Sequence, residues 1–243
     1  MEFTQEKIYE LKEANEFFKR TPQKLLPQKG QIRESKKEIL SILKSQLGEN
    51  LNSINALEIG CFVGDLLAKL KKNYKCNVIG IEPSSLAVEY AKEKFNLEII
   101  NSTFNNSKYY QLLDENQSAF DLIILDDVLS WFSRNIILAS IGSIDWLLKP
   151  DGYLFIRDFS PSFEFAYPNH HQPNQDVYNY KVSGGHKSLF IASGMYLIDY
   201  ELTRTDKKYQ NVDTVRPDSS IWSDTLLKKA KTPLFPRLEL KRN

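Results

Sequence analysis

The sequence predicts an α/β protein built on a doubly wound, mostly parallel sheet. Three observations predict it. Ala56 to Ile59 form a short apolar run that ends in a glycine turn and passes into a helical pattern from Asp65. Further apolar runs at 77–81, 97–100, 119–125 and 153–156 alternate with amphipathic stretches, as strands and crossover helices do. Two late runs, 195–204 and 221–228, then read as a hairpin of antiparallel strands.

The chain has 243 residues, of which 42% are apolar and 26% charged. That supports one sizeable core, and no composition shift marks a second domain. We expect a single domain over 1–243, with helices in 1–50, a central core in 51–160 and further strands in 161–243. The formal net charge is +1 and no long basic block occurs, which argues against a nucleic-acid partner. Cys61 and Cys76 are too few and too separated for a disulfide framework or a zinc site, and read as reduced thiols of a cytoplasmic protein. No signal-like apolar run opens the sequence, and no stretch approaches membrane-spanning length.

Residues 3–20 place Ile8, Leu11, Ala14, Phe17 and Phe18 at helical spacing on one face. Thr21-Pro22 and 27–30 break that helix. A second amphipathic segment carries Ile32, Ile39, Leu40, Ile42, Leu43 and Leu47, with Gly48 as its stop. Packing on the sheet edge is one reading of these helices.

The glycine turn holds the chemistry. Gly60 and Gly64 let the backbone turn sharply and approach a ligand closely. Between them, Phe62 stands where a dinucleotide loop has its second glycine, and Glu58 precedes the loop by two residues. A pyrophosphate needs bare backbone and no nearby anion, so the loop suits a ligand with an amino group and a ribose instead. Glu82 ends the second strand, where such sheets grip a ribose, although a carboxylate there also suits a helix entry. Pro83 stops the ladder, and Ser84 or Ser85 caps the next helix. The fourth strand ends in Asp126-Asp127-Val128; two adjacent acids there are costly unless they face a cleft.

Glu58, Gly60, Cys61, Phe62 and Gly64 together resemble the first motif of the class I S-adenosylmethionine-dependent methyltransferases, an acidic residue followed by spaced glycines. Phe62 departs from the commonest form. The segment Leu147-Leu148-Lys149-Pro150-Asp151-Gly152-Tyr153 closely resembles a late motif of that family, and the motifs fall in order over 56–156. The resemblance implies a seven-stranded Rossmann-like sheet with an antiparallel C-terminal hairpin, N-terminal helices that lie over the cofactor as a lid, and S-adenosyl-L-methionine as cofactor. It implies cofactor contacts at Glu58, Gly60, Cys61, Phe62, Gly64, Glu82, Pro83, Ser84, Thr103, Phe104, Asp126, Asp127 and Val128. Thr103 matches the position where the family usually has an acidic or polar residue for the adenine amino group, and Phe104 the apolar one under the ring.

From Arg157 the chain reads as an irregular, aromatic, proline-bearing insertion, followed by a small edge strand at 177–182 and a helix from Lys187 to Ala192. By βαβ geometry the insertion faces the edge that carries Asp127, where loops carry function. Candidate bases are Asp127, His170, His171 and His186, with Asp158 as an orienting group; a solvated pair is the plainer reading of His170 and His171. Arg157, Lys181 and His186 are candidate acceptor ligands, with surface salt bridges as the plainer reading of the first two. No metal is expected. The region after Arg157 resembles methyltransferases of bacterial capsule, O-antigen and related surface-glycan pathways. That implies methyl transfer to oxygen or nitrogen of a small polar, phosphate-bearing acceptor, such as a nucleotide-linked sugar or a phosphoramidate-type capsule precursor. Another small metabolite as acceptor, a catalytically silent S-adenosylmethionine-binding scaffold, aminopropyl transfer and a dehydrogenase remain as alternatives.

Overall fold

A computed structural model describes residues 5–103, 111–112, 114–169, 177–205 and 221–232. The sheet has seven strands in the order β3-β2-β1-β4-β5-β9-β8. These are β1 (Asn55–Ile59), β2 (Asn77–Glu82), β3 (Ile99–Asn101), β4 (Phe120–Asp126), β5 (Leu148–Phe159), β8 (Tyr196–Thr205) and β9 (Ile221–Lys229). The first five run parallel, and β9 is antiparallel to both β5 and β8. This is the doubly wound sheet with an antiparallel ending that the sequence predicts.

Strand alternation decides what lies on each face. Leu57, Ile59, Ile123, Leu125, Leu154 and Ile156 enter one core, with Ile137, Ile144 and Leu147 of the helix Ile137–Leu147. Ala56, Leu122, Ile124 and Phe155 enter the other, against Ile39, Leu43 and Leu47 of α3 (Glu34–Leu47) and Leu66, Leu67 and Leu70 of α4 (Asp65–Tyr74). Chain connection goes outward from β1 through β2 to β3, then crosses to β4 and β5. The sense of winding therefore reverses between β1 and β4, and a crevice opens beyond their C-terminal ends.

The N-terminus departs from the expected single helix with an apolar face. It is α1 (Gln5–Ile8), a π-helical turn (Tyr9–Glu13) and α2 (Ala14–Arg20). The wider turn rotates the side chains relative to one helical stripe. Leu11 and Phe17 are consequently 59% and 53% exposed, while Gln5, Glu6, Glu13 and Ala14 are buried. Polar bonds hold this segment: Gln5 accepts from the Tyr178 N–H at 2.8 Å and donates to the carbonyls of Tyr178 and Trp131.

Two further expectations are corrected beyond β5. The chain does not become irregular at Arg157; β5 runs through Arg157, Asp158 and Phe159 because β9 pairs with all three, at Asp224, Ser223 and Trp222. The expected edge strand pairs with a strand that the sequence does not signal. The two form a separate ribbon, β6 (Phe165–Pro168) against β7 (Tyr178–Lys181). A proline and two aromatic residues in that short stretch give it too little alternation to signal a strand.

Candidate active site

A cavity of about 550 Å³ fills the crevice, within the size range of small-molecule sites. Its floor is the loop after β1. Gly60 has φ +70°, and a Cβ there would meet Val128 Cγ2 at 2.5 Å, so only glycine lets the two loops approach this closely. Phe62 also lies in the left-handed region, at φ +54°. It takes the backbone conformation that favours glycine and uses its side chain elsewhere. Its ring packs against Phe17 and Phe18 at 5.5 and 5.7 Å, with the Arg33 guanidinium 5.0 Å from its centroid. The residue that departs from the motif thus fastens the N-terminal segment to the loop. Cys61 is buried behind the loop, where burial pushes its thiol well up, and does not line the cavity.

Glu82 stands at the end of β2 in the cavity wall. Oε2 accepts from the Phe62 N–H and Oε1 from the Ser84 N–H, both at 2.9 Å. Each oxygen keeps a lone pair for a further donor. Burial pushes this carboxyl up to about 7, against the lowering pull of those two amides. Pro83, Ser102 and Thr103 continue the wall. Ser84 is buried and caps α5 (Ser85–Phe95), accepting from the Ala87 N–H at 3.1 Å. Phe104, His170 and His171 lie outside the described residues.

Glu58 is fully buried behind the cavity wall. Its Oε1 is 2.5 Å from Lys36 Nζ, and Oε2 has no partner. Lys36 also reaches Asp126 Oδ2 at 2.9 Å, and both Lys36 and Asp126 line the cavity. Burial alone would lower the Lys36 ammonium, but the two carboxylates outweigh it and raise it. Burial pushes Glu58 up; Asp126 is held low because Lys36 and Arg157 overcome its burial. Arg33 is fixed beside Lys36 by Asp65, which its Nη2 approaches at 2.6 Å.

The far end of the cavity is closed by the N-terminal segment. Glu6, Tyr9, Glu13, Ala14, Phe17 and Arg20 all line it. Asp127, Val128, Trp131 and Phe132 line it too, with Asn169 and Trp222. Asp127 has φ +55°; its N–H donates to the Arg157 carbonyl at 2.8 Å and its Oδ1 accepts from the Ser130 hydroxyl at 3.3 Å. Burial first, and then the neighbouring Asp158, push the Asp127 carboxyl up to about 7, with Lys181 pulling the other way. Asp158 accepts from the Ser130 and Phe159 amides, and its Oδ2 lies 3.0 Å from His186 Nδ1. Its burial is overcome by His186 and Lys181, which hold it low. Lys181 Nζ lies 3.0 Å from the Phe159 ring centroid without a hydrogen-bond partner, and burial lowers its ammonium to about 8.

The structure therefore brings Gly60, Phe62, Glu82, Pro83, Thr103, Asp126, Asp127, Val128 and Arg157 to one cavity. It sets Glu58, Cys61, Ser84, Asp158, Lys181 and His186 behind that wall. Arg157 is already engaged: it binds Asp224 at 2.5 Å and 3.0 Å, Glu38 at 3.3 Å and the Ser35 carbonyl at 2.9 Å. Sequence reasoning passed over Lys36, Arg33, Glu6, Tyr9, Trp131 and Trp222. For Lys36 a signal existed: it falls on the stripe of Ile39, Leu43 and Leu47, where a charge must find a buried partner. Among the described residues no cluster of acids, histidines or cysteines could hold a metal ion.

A doubly wound sheet, a glycine floor at its switch point and a carboxylate at the end of the neighbouring strand are the arrangement that α/β folds use to bind nucleosides. Residues 30–198 match the family described as "Methyltransferase domain". The chain belongs to this methyltransferase family. The dehydrogenase alternative falls with that finding. An uncharacterized protein of Rickettsia prowazekii is 29% identical over 107 residues, spanning 44% of this chain and 43% of that relative. Less than half of that relative's length is thus matched. The 1,6-didemethyltoxoflavin-N1-methyltransferase of Burkholderia thailandensis, solved with 1,6-didemethyltoxoflavin and S-adenosylhomocysteine, superposes with a TM-score of 0.59 at 14% identity, over 82% of this chain and 79% of that one. The N-methyltransferase NodS of Bradyrhizobium japonicum, solved with S-adenosylhomocysteine, gives 0.56 at 14% identity, over 89% and 98%. At such identity these two likenesses establish the fold.

Proposed function

We propose that this chain methylates a nitrogen or oxygen of a small polar acceptor held beneath its N-terminal segment. The observation that carries the reading is Glu82, which lines the cavity and whose two oxygens are each anchored by a backbone amide. Such a carboxylate fits a ribose diol. The Gly60 floor fits the same ligand, because a Cβ there would close it. Arg33 and Lys36 fit the carboxylate of the methionine end, and Asp126 its amino group. When bound, S-adenosylmethionine supplies an activated methyl group and a neutral thioether leaving group. The protein's own part is to position, to exclude water and to take a proton. Tyr9, Ala14 and Phe17 cover the cavity, and Asp127 is the group placed to take the proton.

A phosphate-bearing sugar acceptor draws its support from the sequence resemblance to surface-glycan methyltransferases. Cytoplasmic placement draws on the two free, buried thiols. No described helix is long and apolar enough to cross a membrane. The test is calorimetric titration of the full chain with S-adenosylmethionine and S-adenosylhomocysteine, for wild type and Glu82→Ala. Micromolar binding by wild type that the variant loses is expected. Binding unchanged in the variant overturns the assignment of Glu82.

A further inference from the structure

The charges around the acceptor end of the cavity are distributed unequally. Among the described residues, every cation in the wall already has a carboxylate. Arg20 has Glu13 at 2.6 Å, Arg33 has Asp65 at 2.6 Å, Lys36 has Glu58 and Asp126, and Arg157 has Asp224. The carboxylates are less fully engaged. Glu6 is only 5% exposed. Its Oε1 accepts from the Ser133 amide and hydroxyl at 2.8 and 2.7 Å, whereas its Oε2 has no hydrogen-bond partner. A buried carboxylate oxygen left bare is costly and calls for a donor. Asp127, which lines the same cavity, accepts a long bond from the Ser130 hydroxyl at 3.3 Å.

Aromatic faces line the same cavity as these two acids. Tyr9 and Trp131 both line the cavity, with ring centroids 6.1 Å apart and planes inclined at 60°. Tilted aromatic faces beside carboxylates attract an ammonium group twice, by the ring quadrupole and by charge. Lys181 offsets part of the Asp127 and Asp158 charge from behind the wall, but it does not enter the cavity and leaves Glu6 uncompensated.

We propose that the acceptor is a small amine, bound as its ammonium ion between Glu6 and Asp127 against the rings of Tyr9 and Trp131. The inference rests on the methyl-transfer reading above and names its substrate class. The ammonium gives one proton to the Asp127 carboxylate. The nitrogen lone pair so freed forms the N–C bond while the S–C bond breaks and its electron pair stays on the sulfur. The methylated nitrogen carries the positive charge the sulfonium had.

Three matched probes test this on the full chain saturated with S-adenosylhomocysteine: benzylamine, benzyl alcohol and benzyl phosphate, each titrated by calorimetry at neutral pH. Benzylamine is expected to bind at least about tenfold more tightly than either of the others. Glu6→Gln should erase that preference and leave the affinity for S-adenosylhomocysteine unchanged. Trp131→Leu serves where Glu6→Gln loosens the N-terminal segment; it should weaken the amine more than the alcohol. Benzyl phosphate binding as well as the amine, no amine binding, or an amine preference untouched in both variants overturns the proposal. If S-adenosylhomocysteine itself fails to bind, the methyl-transfer reading fails separately, and the ranking of the three probes is still read on the free protein.

Discussion

Lys36 Nζ lies 2.5 Å from Glu58 Oε1, so the acidic residue of the glycine motif is neutralised from the helix that packs over it. Both groups are almost fully buried, and Lys36 carries Asp126 as well. Removing one partner of a buried pair strands the other's charge, at a cost of about 3–5 kcal/mol. Lys36→Met should therefore lower stability by about that amount. Lys36→Met with Glu58→Gln should recover part of it, because the fully buried Glu58 charge is gone while Asp126 still lacks its lysine. Urea unfolding of the single and double variants measures this. Equal losses in the two would show that the lysine stem, and not the charge pair, holds α3 in place.

Glu82 should link pH to both stability and donor binding. Its carboxyl is raised to about 7 in the folded chain, from an ordinary value of 4.5. Between those values the folded state binds more protons than the unfolded state, so this group makes stability fall as pH rises from about 4.5 to 7. Glu82→Gln should flatten that part of the profile. Donor affinity should run the other way in wild type, because the ionised carboxylate is the better ribose acceptor. We expect the affinity for S-adenosylhomocysteine to rise between pH 6 and pH 8, about one pH unit either side of the group's value, and Glu82→Ala to lose roughly 1.5–3 kcal/mol for each bond it removes. Affinity independent of pH in wild type would remove Glu82 from the ribose.

Phe62 has left-handed backbone for the sake of its ring. Phe62→Gly would relieve about 1–2 kcal/mol of strain. It would also forfeit the packing against Phe17 and Phe18, and deleting a buried phenylalanine side chain costs about 3–5 kcal/mol. The packing term is larger, so a net loss of about 1–4 kcal/mol is expected. Amide exchange should quicken over 5–20 before it does in the sheet. A variant as stable as wild type, with exchange unchanged there, would mean that the ring does not hold the N-terminal segment down.

The sheet was legible because its strands are buried on both faces and punctuated by glycine, proline and asparagine. Glu82, Asp126 and Asp127 were legible because an acid at the end of a buried strand has few places to go. The N-terminal segment was not, since Ile8, Leu11, Ala14, Phe17 and Phe18 suggest an ordinary apolar stripe. What holds it is Gln5 on Tyr178 and Glu6 on Ser133, polar bonds between residues more than a hundred positions apart. Sequence periodicity carries no trace of such bonds. Arg157 was misleading in another way. As a lone cation after β5 it suggests an anion ligand, but its partner Asp224 sits opposite it on β9, and only the strand register reveals that.

Asp127 carries the last prediction, and it separates chemistry from binding. Its carboxyl is raised to about 7 by burial and by Asp158, while Ser130 fixes its position. As the group that takes the acceptor's proton it works only when ionised. The turnover rate should therefore rise with pH through about 7 and level off above it. Asp127→Asn keeps the shape and removes the base, so kcat should fall by about 10²–10⁴-fold and lose this pH dependence. The affinity for S-adenosylhomocysteine should change little, because Glu82, the carboxylate proposed to hold the ribose, is untouched. Ser130→Ala should lower kcat less and shift the midpoint upward, since the hydroxyl stabilises the ionised form. A variant Asp127→Asn that keeps wild-type kcat, or loses turnover only through weaker donor binding, would mean that the proton leaves by another route.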